Sequence, residues 1–485
     1  MNGSLIMVGR MVDPHCATSA WEGWGACLSW WAGTELGRRD DIARALFGRG
    51  RERVRLVDQE VALPGLGLTV VRYDLGACTW PHPGDGSARM VESPRIVRRK
   101  QIEGYWRGTG WDWAADANQR SMLLKARDIG ADRFEMFSVS PPWWMTVNGN
   151  PSGAERPDQD NLAPAHRETF ARYIAVVARH ARDHWGVRFA SVEPFNEPSL
   201  QAWHASQNQE GCHFTVDAQA AVLAPLRRAL DERGLGDVRV AASDECFYSQ
   251  AANTWRGLPA DVRRIVGRVN VHGYERDDDS RGRAALRAAV GATTPVWQSE
   301  YCDGEPSGLT TALNIGRDLR SLRPRAWVYW QPVDGAGWGL LGGAYDDTTP
   351  NPDGGAPGTL RAAVTGVNAK YYVLAQYTRH VRPGMRLLDS GHPDTVAAYD
   401  DAARRLALVT ANGGGARTVV YDLRRFSRAA GHGDGHTVRV WVTDATDAPA
   451  RTYTRDRDAR VVDRLLTTTQ APNTVTTMEI DDVEP

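Results

Sequence analysis

Long apolar runs are missing from this sequence. No stretch of 18 apolar residues occurs anywhere in its 485, and the segment Leu5–Val8 is too short for the core of a secretory signal peptide. The chain is therefore expected to be soluble, with no membrane partner and no export signal as written. An excess of one charge is missing too: 58 basic and 59 acidic side chains leave a net charge of -1, so there is no electrostatic reason to expect nucleic acid or an anionic membrane as partner. Lysine is nearly absent, at three of those 58, but the arginines that replace it are spread along the chain and form no basic stripe. The six cysteines, at 16, 27, 78, 212, 246 and 302, have no CxxC or zinc-finger spacing and are too sparse for a disulfide scaffold, although one bridge, Cys27 to Cys78, is compatible with their positions. No second histidine lies at ligand spacing from His272, and neither metal nor cofactor is expected. There is no internal repeat and no low-complexity linker. Nothing indicates an oligomer, and a monomer is compatible with the sequence.

What is abundant is aromatic and flexible: 18 Trp and 48 Gly, which suit ring faces set in loops as well as they suit ordinary core. The length exceeds what one hydrophobic core usually supports, so a main domain with an appendage is expected. Short β-branched or aromatic runs followed by helical patterns alternate eight times between about residues 22 and 380. The candidate strands are Glu22–Trp31, Leu68–Gly76, Asp132–Pro141, Arg188–Pro198, Val238–Glu245, Arg268–Tyr274, Pro295–Tyr301 and Arg325–Val333. The clearest helix spans about 163 to 185, with Phe170, Ile174, Val177, Ala181 and Trp185 on one face and Gly186 as its stop. Eight βα units close a TIM barrel of the α/β class, whereas an open doubly wound sheet would want a G-x-G-x-x-G turn after its first strand, and none is there. After Pro383 the pattern changes to short strands such as Arg405–Thr410, Thr418–Leu423 and Val438–Thr443 between Gly, Asp and Pro turns. The predicted organisation is thus a (β/α)8 barrel over 21–382, a C-terminal β-sandwich side domain over 383–485, and an N-terminal segment, 1–20, that adds a strand to the sandwich.

Barrels of this kind keep their chemistry at the C-terminal ends of the strands. The fourth candidate strand ends in Glu193-Pro194-Phe195-Asn196-Glu197-Pro198 and the seventh in Trp297-Gln298-Ser299-Glu300-Tyr301. Two carboxyl groups facing each other across the mouth are what glycosidic cleavage needs, one to protonate the leaving oxygen and one to attack or to activate water. A separation of about 5 to 5.5 Å implies retention and roughly 6.5 to 9.5 Å inversion. Period-two alternation puts Glu193 and Glu197 on one face, so geometry alone does not choose between them.

These stretches resemble glycoside hydrolase family 30, and more closely its endo-β-1,6-galactanase branch. The likeness runs through Glu22-Gly23-Trp24-Gly25, Trp30-Trp31, Arg72-Tyr73, Ser140 to Met145 and Asn150 to Gly153. It continues through Glu193 to Pro198, Gln209 to Phe214, Trp297 to Tyr301 and Trp327 to Asp334. The resemblance implies a retaining glycosidase with Glu197 as acid/base, Glu300 as nucleophile, Asn196 on the sugar hydroxyl beside the reacting carbon, and Glu193 in support. Arg72 is expected to hold Glu300 ionised while burial and Glu300 keep Glu197 protonated, and His272 or Tyr274 to bond the nucleophile or a sugar hydroxyl. Trp24, Trp144, Trp203, Trp330 and Trp338 are candidate stacking platforms, about half of which should be core. His213 is implied as a substrate-side residue. Two departures from the family pattern, Val139 in place of Asn and Cys302 in place of Gly, bear on fine specificity. The implied partner is a polysaccharide or oligosaccharide. The leading substrate is β-1,6-galactan or arabinogalactan side chains, cut internally or from one end, with β-1,6-glucanase, β-glucosylceramidase, xylanase and exo-acting β-galactosidase as the family's other activities. The segments Cys78–Trp111 and Gly342–Gly366 are long enough to wall off a pocket. A non-catalytic carbohydrate-binding barrel and a structural protein are the readings of a different kind. The expected location is outside the cell if a leader has been removed, and the cytoplasm otherwise.

Overall fold

A computed structural model describes residues 5–79, 89–275, 280–347, 356–429 and 436–485. Parts of the loops Cys78–Trp111 and Gly342–Gly366 lie outside these residues. Eight parallel strands close into a barrel: Gly23–Cys27, Val70–Asp74, Arg133–Phe137, Ser191–Glu193, Arg239–Glu245, Val266–Val271, Val296–Tyr301 and Ala326–Tyr329. Ring closure pairs the eighth with the first, with Ala326 opposite Gly23 and Tyr329 opposite Ala26. The strands are buried on both faces, the sheet's inner face by its own side chains and its outer face by helices, which is why they appear in the sequence as continuous runs and not as alternation. Each falls inside a predicted segment or overlaps it, but most are shorter. The fourth contracts from the predicted Arg188–Pro198 to three residues, because Pro194 lacks an N–H for the ladder and the chain turns out of the sheet there. The predicted helix at 163–185 is an α-helix over Arg167–His180, a wider turn over Ala181–Trp185, and a stop at Gly186 with φ 64°.

The second body is an antiparallel β-structure whose two layers share the long strand His436–Asp444 and enclose one apolar core that includes Leu406, Leu408, Val419, Tyr421, Val438, Leu466 and Met478. The N-terminal segment contributes two strands to it where one was expected. Leu5–Met11 lies parallel to Arg417–Asp422, and Asp13–Ala20 lies antiparallel to Arg386–Asp389. Helix Ala369–Thr378 is buried nearly all round because it lies between barrel and sheet: Gln376 Nε2 donates to Thr443 Oγ1 at 2.8 Å, and its carbonyl accepts from Thr477 Oγ1 at 3.1 Å. Cys27 and Cys78 are free thiols, not a disulfide. Cys78 donates to Glu210 Oε1 at 3.1 Å, while Cys27 ends the first barrel strand beside Arg72. Among the described residues no helix is long and apolar enough to cross a membrane.

Candidate active site

The two carboxylates picked from strand ends meet at the barrel mouth. Glu300 projects from the end of the seventh strand. Glu197 lies four residues beyond the fourth strand, in the left-handed region at φ 47°, a conformation a glutamate adopts only when its surroundings hold it there. The hold is visible: its N–H donates to the Asp244 carbonyl at 2.8 Å and its own carbonyl accepts from Trp203 Nε1 at 3.0 Å. Trp203 in turn lies against Gly211, where a methyl group would meet the indole at 2.3 Å, so only glycine admits the ring there. The turn also separates Glu197 from Glu193. Because the strand stops at Glu193, alternation does not carry on to 197, and Glu193 sits below the cavity with burial, and then Asp244, pushing its carboxyl well above the ordinary range.

One oxygen each of Glu197 and Glu300 and one ring nitrogen of His272 all lie within 4.8 Å of one another. His272 Nδ1 is 3.0 Å from Glu197 Oε1 and 3.3 Å from Glu300 Oε1, and its Nε2 is 3.1 Å from Asp244 Oδ2. Burial alone would strip the charge from this imidazole, but Glu300 and Asp244 outweigh it and raise His272 well above the usual value, so it is a cation between three carboxylates. The Tyr274 hydroxyl donates to Glu300 Oε1 at 3.0 Å. Arg72, fully buried at the second strand, gives Nε to Glu135 Oε1 at 2.9 Å and Nη2 to Asp244 Oδ2 at 2.5 Å, and holds Nη1 3.6 Å from Glu300 Oε2. Asp244 resists burial through Arg72 and His272 and stays below the ordinary carboxylate range. Glu300 does not: burial, with Glu197 adding to it, pushes its carboxyl up to about 7 against the pull of His272 and Arg72. Arg72 acts on Glu300 in the direction expected of it, toward the ionised form, but desolvation outweighs it. The carboxylate–imidazole cluster has the spacing of a cation site, yet the imidazolium and the Arg72 guanidinium already supply its positive charge.

A cleft of about 1090 Å³ opens over the pair. It is lined by Asn196, Tyr274, Trp203, Trp330 and Trp338 among the sequence candidates, besides Glu197 and Glu300. Asn196 presents a buried amide oxygen that has no protein partner. Arg72 and His272 lie behind the carboxylates. Three candidates are elsewhere. Trp24 is 1% exposed, packed on Trp21, Trp327 and Tyr377 near the start of its strand, with Nε1 donating to the Val381 carbonyl. Trp144 packs beside Trp106 and His166, outside the cleft lining. His213 Nδ1 pairs with Asp160 Oδ1 at 2.9 Å and fastens the loop after the fourth strand. The sequence reading passed over Asp244 and Trp30. Both stand at or just beyond strand ends, the signal that found the glutamates, and Trp30 lines the cleft with Lys100 Nζ 4.1 Å above its ring. Val139 and Cys302, the two departures from the family pattern, also line the cleft.

Trp338 is 44% exposed at the rim, so its removal costs little in packing. Trp338→Ala is expected to leave the melting temperature within about 1 °C while raising KM for polymeric substrate roughly fivefold, the equivalent of about 1 kcal/mol of aromatic stacking. Steady-state kinetics with thermal unfolding reads both, and an unchanged KM removes Trp338 from the binding surface.

The model for O-glycosyl hydrolase family 30 matches residues 19–265. An endo-β-1,6-galactanase of Hypocrea rufa is 43% identical over 440 residues, covering 89% of this chain and 86% of that protein. An exo-β-1,6-galactobiohydrolase of Bifidobacterium longum subsp. longum is 21% identical, covering 90% of this chain and 36% of that protein. Among solved structures, the catalytic domain of the GH30 xylanase C from Talaromyces cellulolyticus shares the fold, with a TM-score of 0.65 at 17% identity over 98% of this chain and 99% of that one. The paired carboxylates at the mouth of a closed parallel barrel, the attached β-domain and the family match over residues 19–265 agree: this chain is a glycoside hydrolase and belongs to O-glycosyl hydrolase family 30.

Proposed function

We propose that this enzyme hydrolyses internal β-1,6-galactosidic linkages of galactan by double displacement, with Glu300 as nucleophile and Glu197 as acid/base. The observation that supports the mechanism is the approach of the two carboxyl groups, an oxygen of each within 4.8 Å, which is closer to the roughly 5 to 5.5 Å of retaining enzymes than to the roughly 6.5 to 9.5 Å of inverting ones. The linkage and the endo action rest on the 43% identical relative, named an endo-β-1,6-galactanase.

In the first step Glu300 attacks the anomeric carbon as Glu197 gives its proton to the departing glycosidic oxygen. Positive charge grows on the sugar ring as the anion at Glu300 is consumed. The hydrogen bond from Tyr274 and the ion pair with His272 keep the carboxylate aimed during that exchange. Asn196, with its unpartnered amide in the cleft, is placed to bind the hydroxyl next to the reacting carbon. In the second step Glu197, now without its proton, draws one from water as it opens the glycosyl ester on Glu300. The nearby His272 imidazolium favours the anionic form of Glu300 when the ester releases it.

Because burial lifts Glu300 to about 7, kcat/KM is expected to fall as pH drops below 7, through protonation of the nucleophile. A pH–rate profile that stays flat from pH 7 down to 4.5 contradicts this. The substrate is tested by chromatography after incubation with debranched β-1,6-galactan, β-1,6-glucan, xylan and glucosylceramide. A ladder of short galacto-oligosaccharides supports the proposal, galactobiose alone indicates exo action, and products from a different substrate overturn the linkage.

A further inference from the structure

Most arginines in this chain meet a carboxylate: Arg404 pairs with Asp482 and Glu484, Arg424 with Asp422, Arg439 with Asp481. Three at the far end of the barrel do not. Arg49 follows helix Asp40–Phe47, and Arg379 and Arg382 follow helix Ala369–Thr378, so all three gather where the chain enters the second barrel strand, opposite the catalytic mouth. With Leu66 they line a cleft of about 250 Å³. Their closeness is shown by the backbone they share. A methyl group at Gly67 would meet both Arg382 Nη1 and the Arg49 Cγ at 3.0 Å, and Arg379 Nη1 donates to the Arg49 carbonyl at 3.0 Å.

The hydrogen bonds these guanidinia make go to neutral oxygens. Arg382 Nη1 donates to the carbonyls of Gly67 and Thr378, both at 2.7 Å, and Arg379 Nε donates to the Tyr453 hydroxyl of the β-domain at 3.1 Å. Among the described residues no carboxylate lies within ion-pair distance of any of the three, and the Arg49 side chain makes no hydrogen bond at all. Burial and the charges of Arg49 and Arg379 pull Arg382 down to about 10, with Asp132 the one carboxylate that acts on it. Three like charges held around one small cleft repel one another, and the N–H groups left over, the whole fork of Arg49 and the Nη2 groups of Arg379 and Arg382, suit a multivalent oxyanion.

We propose that Arg49, Arg379 and Arg382 form a binding site for a tetrahedral dianion, inorganic phosphate or sulfate or a phosphate monoester, at the base of the barrel beside the β-domain. Occupancy removes the repulsion and, through Arg379 and Tyr453, braces the contact between the two bodies.

The test titrates the whole enzyme, and an Arg49→Gln variant, with inorganic phosphate and with sodium sulfate by calorimetry, and follows thermal unfolding against chloride at matched ionic strength. Arg49 supports no packing or hydrogen bond that glutamine would break, and its activity on galactan should be unchanged. Saturable binding of one anion per chain is expected, weakened about tenfold in the variant, with a rise in melting temperature that the variant shares only in part. Equal affinity for phosphate and sulfate supports a general dianion site, and preference for phosphate supports a site for phosphate and its monoesters. No saturable binding, or equal binding by wild type and variant, overturns the proposal, as does a uniform stabilisation of both proteins by salt.

Discussion

Glu300→Ala is expected to lose turnover of galactan by on the order of 10⁴-fold or more, while the protein still folds and binds substrate. Loss alone would not separate a nucleophile from a positioning group, so the informative experiment adds azide and an aryl β-galactoside whose leaving group needs no proton. In Glu300→Ala the small anion can enter the space left by the carboxylate and attack from that face, giving an α-galactosyl azide. In Glu197→Ala the galactosyl ester on Glu300 still forms, and azide opening it gives the β-azide. Opposite configurations from the two variants are predicted, and the reverse assignment would exchange the roles of the two glutamates. Their placements differ: Glu197 is held in a left-handed turn by Asp244 and Trp203, while Glu300 ends a strand under Arg72, Tyr274 and His272.

Arg72→Met is expected to destabilise the enzyme by about 3 to 5 kcal/mol, the usual cost of removing one partner from a buried charge network. Arg72 has no exposed surface and holds Glu135, Asp244 and Glu300 at once. Glu135 keeps Arg268, Asn270 and Ser191 when Arg72 is gone. Asp244 keeps only His272 and Ser299, so its carboxyl rises, and Glu300 rises with it because one of the two cations opposing its burial is lost. The acid limb of the pH–rate profile should therefore move upward from about 7 in the variant. The sign for stability also follows. Asp244, held low in the folded state, contributes stability that is present above the ordinary aspartate value and disappears as pH falls through its lowered one, and the variant should lack that part of the acid dependence. Urea unfolding across pH reads these together, and Arg72→Lys, which keeps a charge but not the fork, serves if the methionine variant does not fold. A variant as stable as wild type, with an unmoved acid limb, would show that the network holds neither the barrel nor Glu300.

The barrel was legible because its strands are buried on both faces and therefore read as short β-branched and aromatic runs, as in Val70-Val71-Arg72-Tyr73, where only Arg72 interrupts the apolar pattern. That Glu197 and Glu300 would meet was legible because the barrel gathers its strand ends and the turns after them at one mouth, with Glu300 in the seventh strand's end and Glu197 in the turn after the fourth. What the sequence hid is contact between residues far apart in it. Arg72 and Asp244 are 172 residues apart, and nothing local to Asp244 announces that it faces both a guanidinium and His272. The same blindness explains Trp24 and Trp30. Both belong to one predicted segment, but the first sits near the start of the strand and fills core, while the second follows its end and lines the cleft. The second N-terminal strand, Asp13–Ala20, is polar and without clear alternation, and becomes a strand only because Arg386–Asp389 supplies an edge for it to join. His213, implied by the resemblance as a substrate-side residue, is turned instead to Asp160, a partner 53 residues before it that nothing local announces.

The central claim is that two carboxyl groups, each with an oxygen within 4.8 Å of the other's, carry out a double displacement on a β-galactoside. It is tested most directly by proton NMR of the anomeric signal in the first minutes of β-1,6-galactan hydrolysis, before mutarotation mixes the forms. The account predicts that the first reducing ends to appear are β. Reducing ends that appear as α would contradict it, since they would require water to attack in a single step and Glu300 to act as a base.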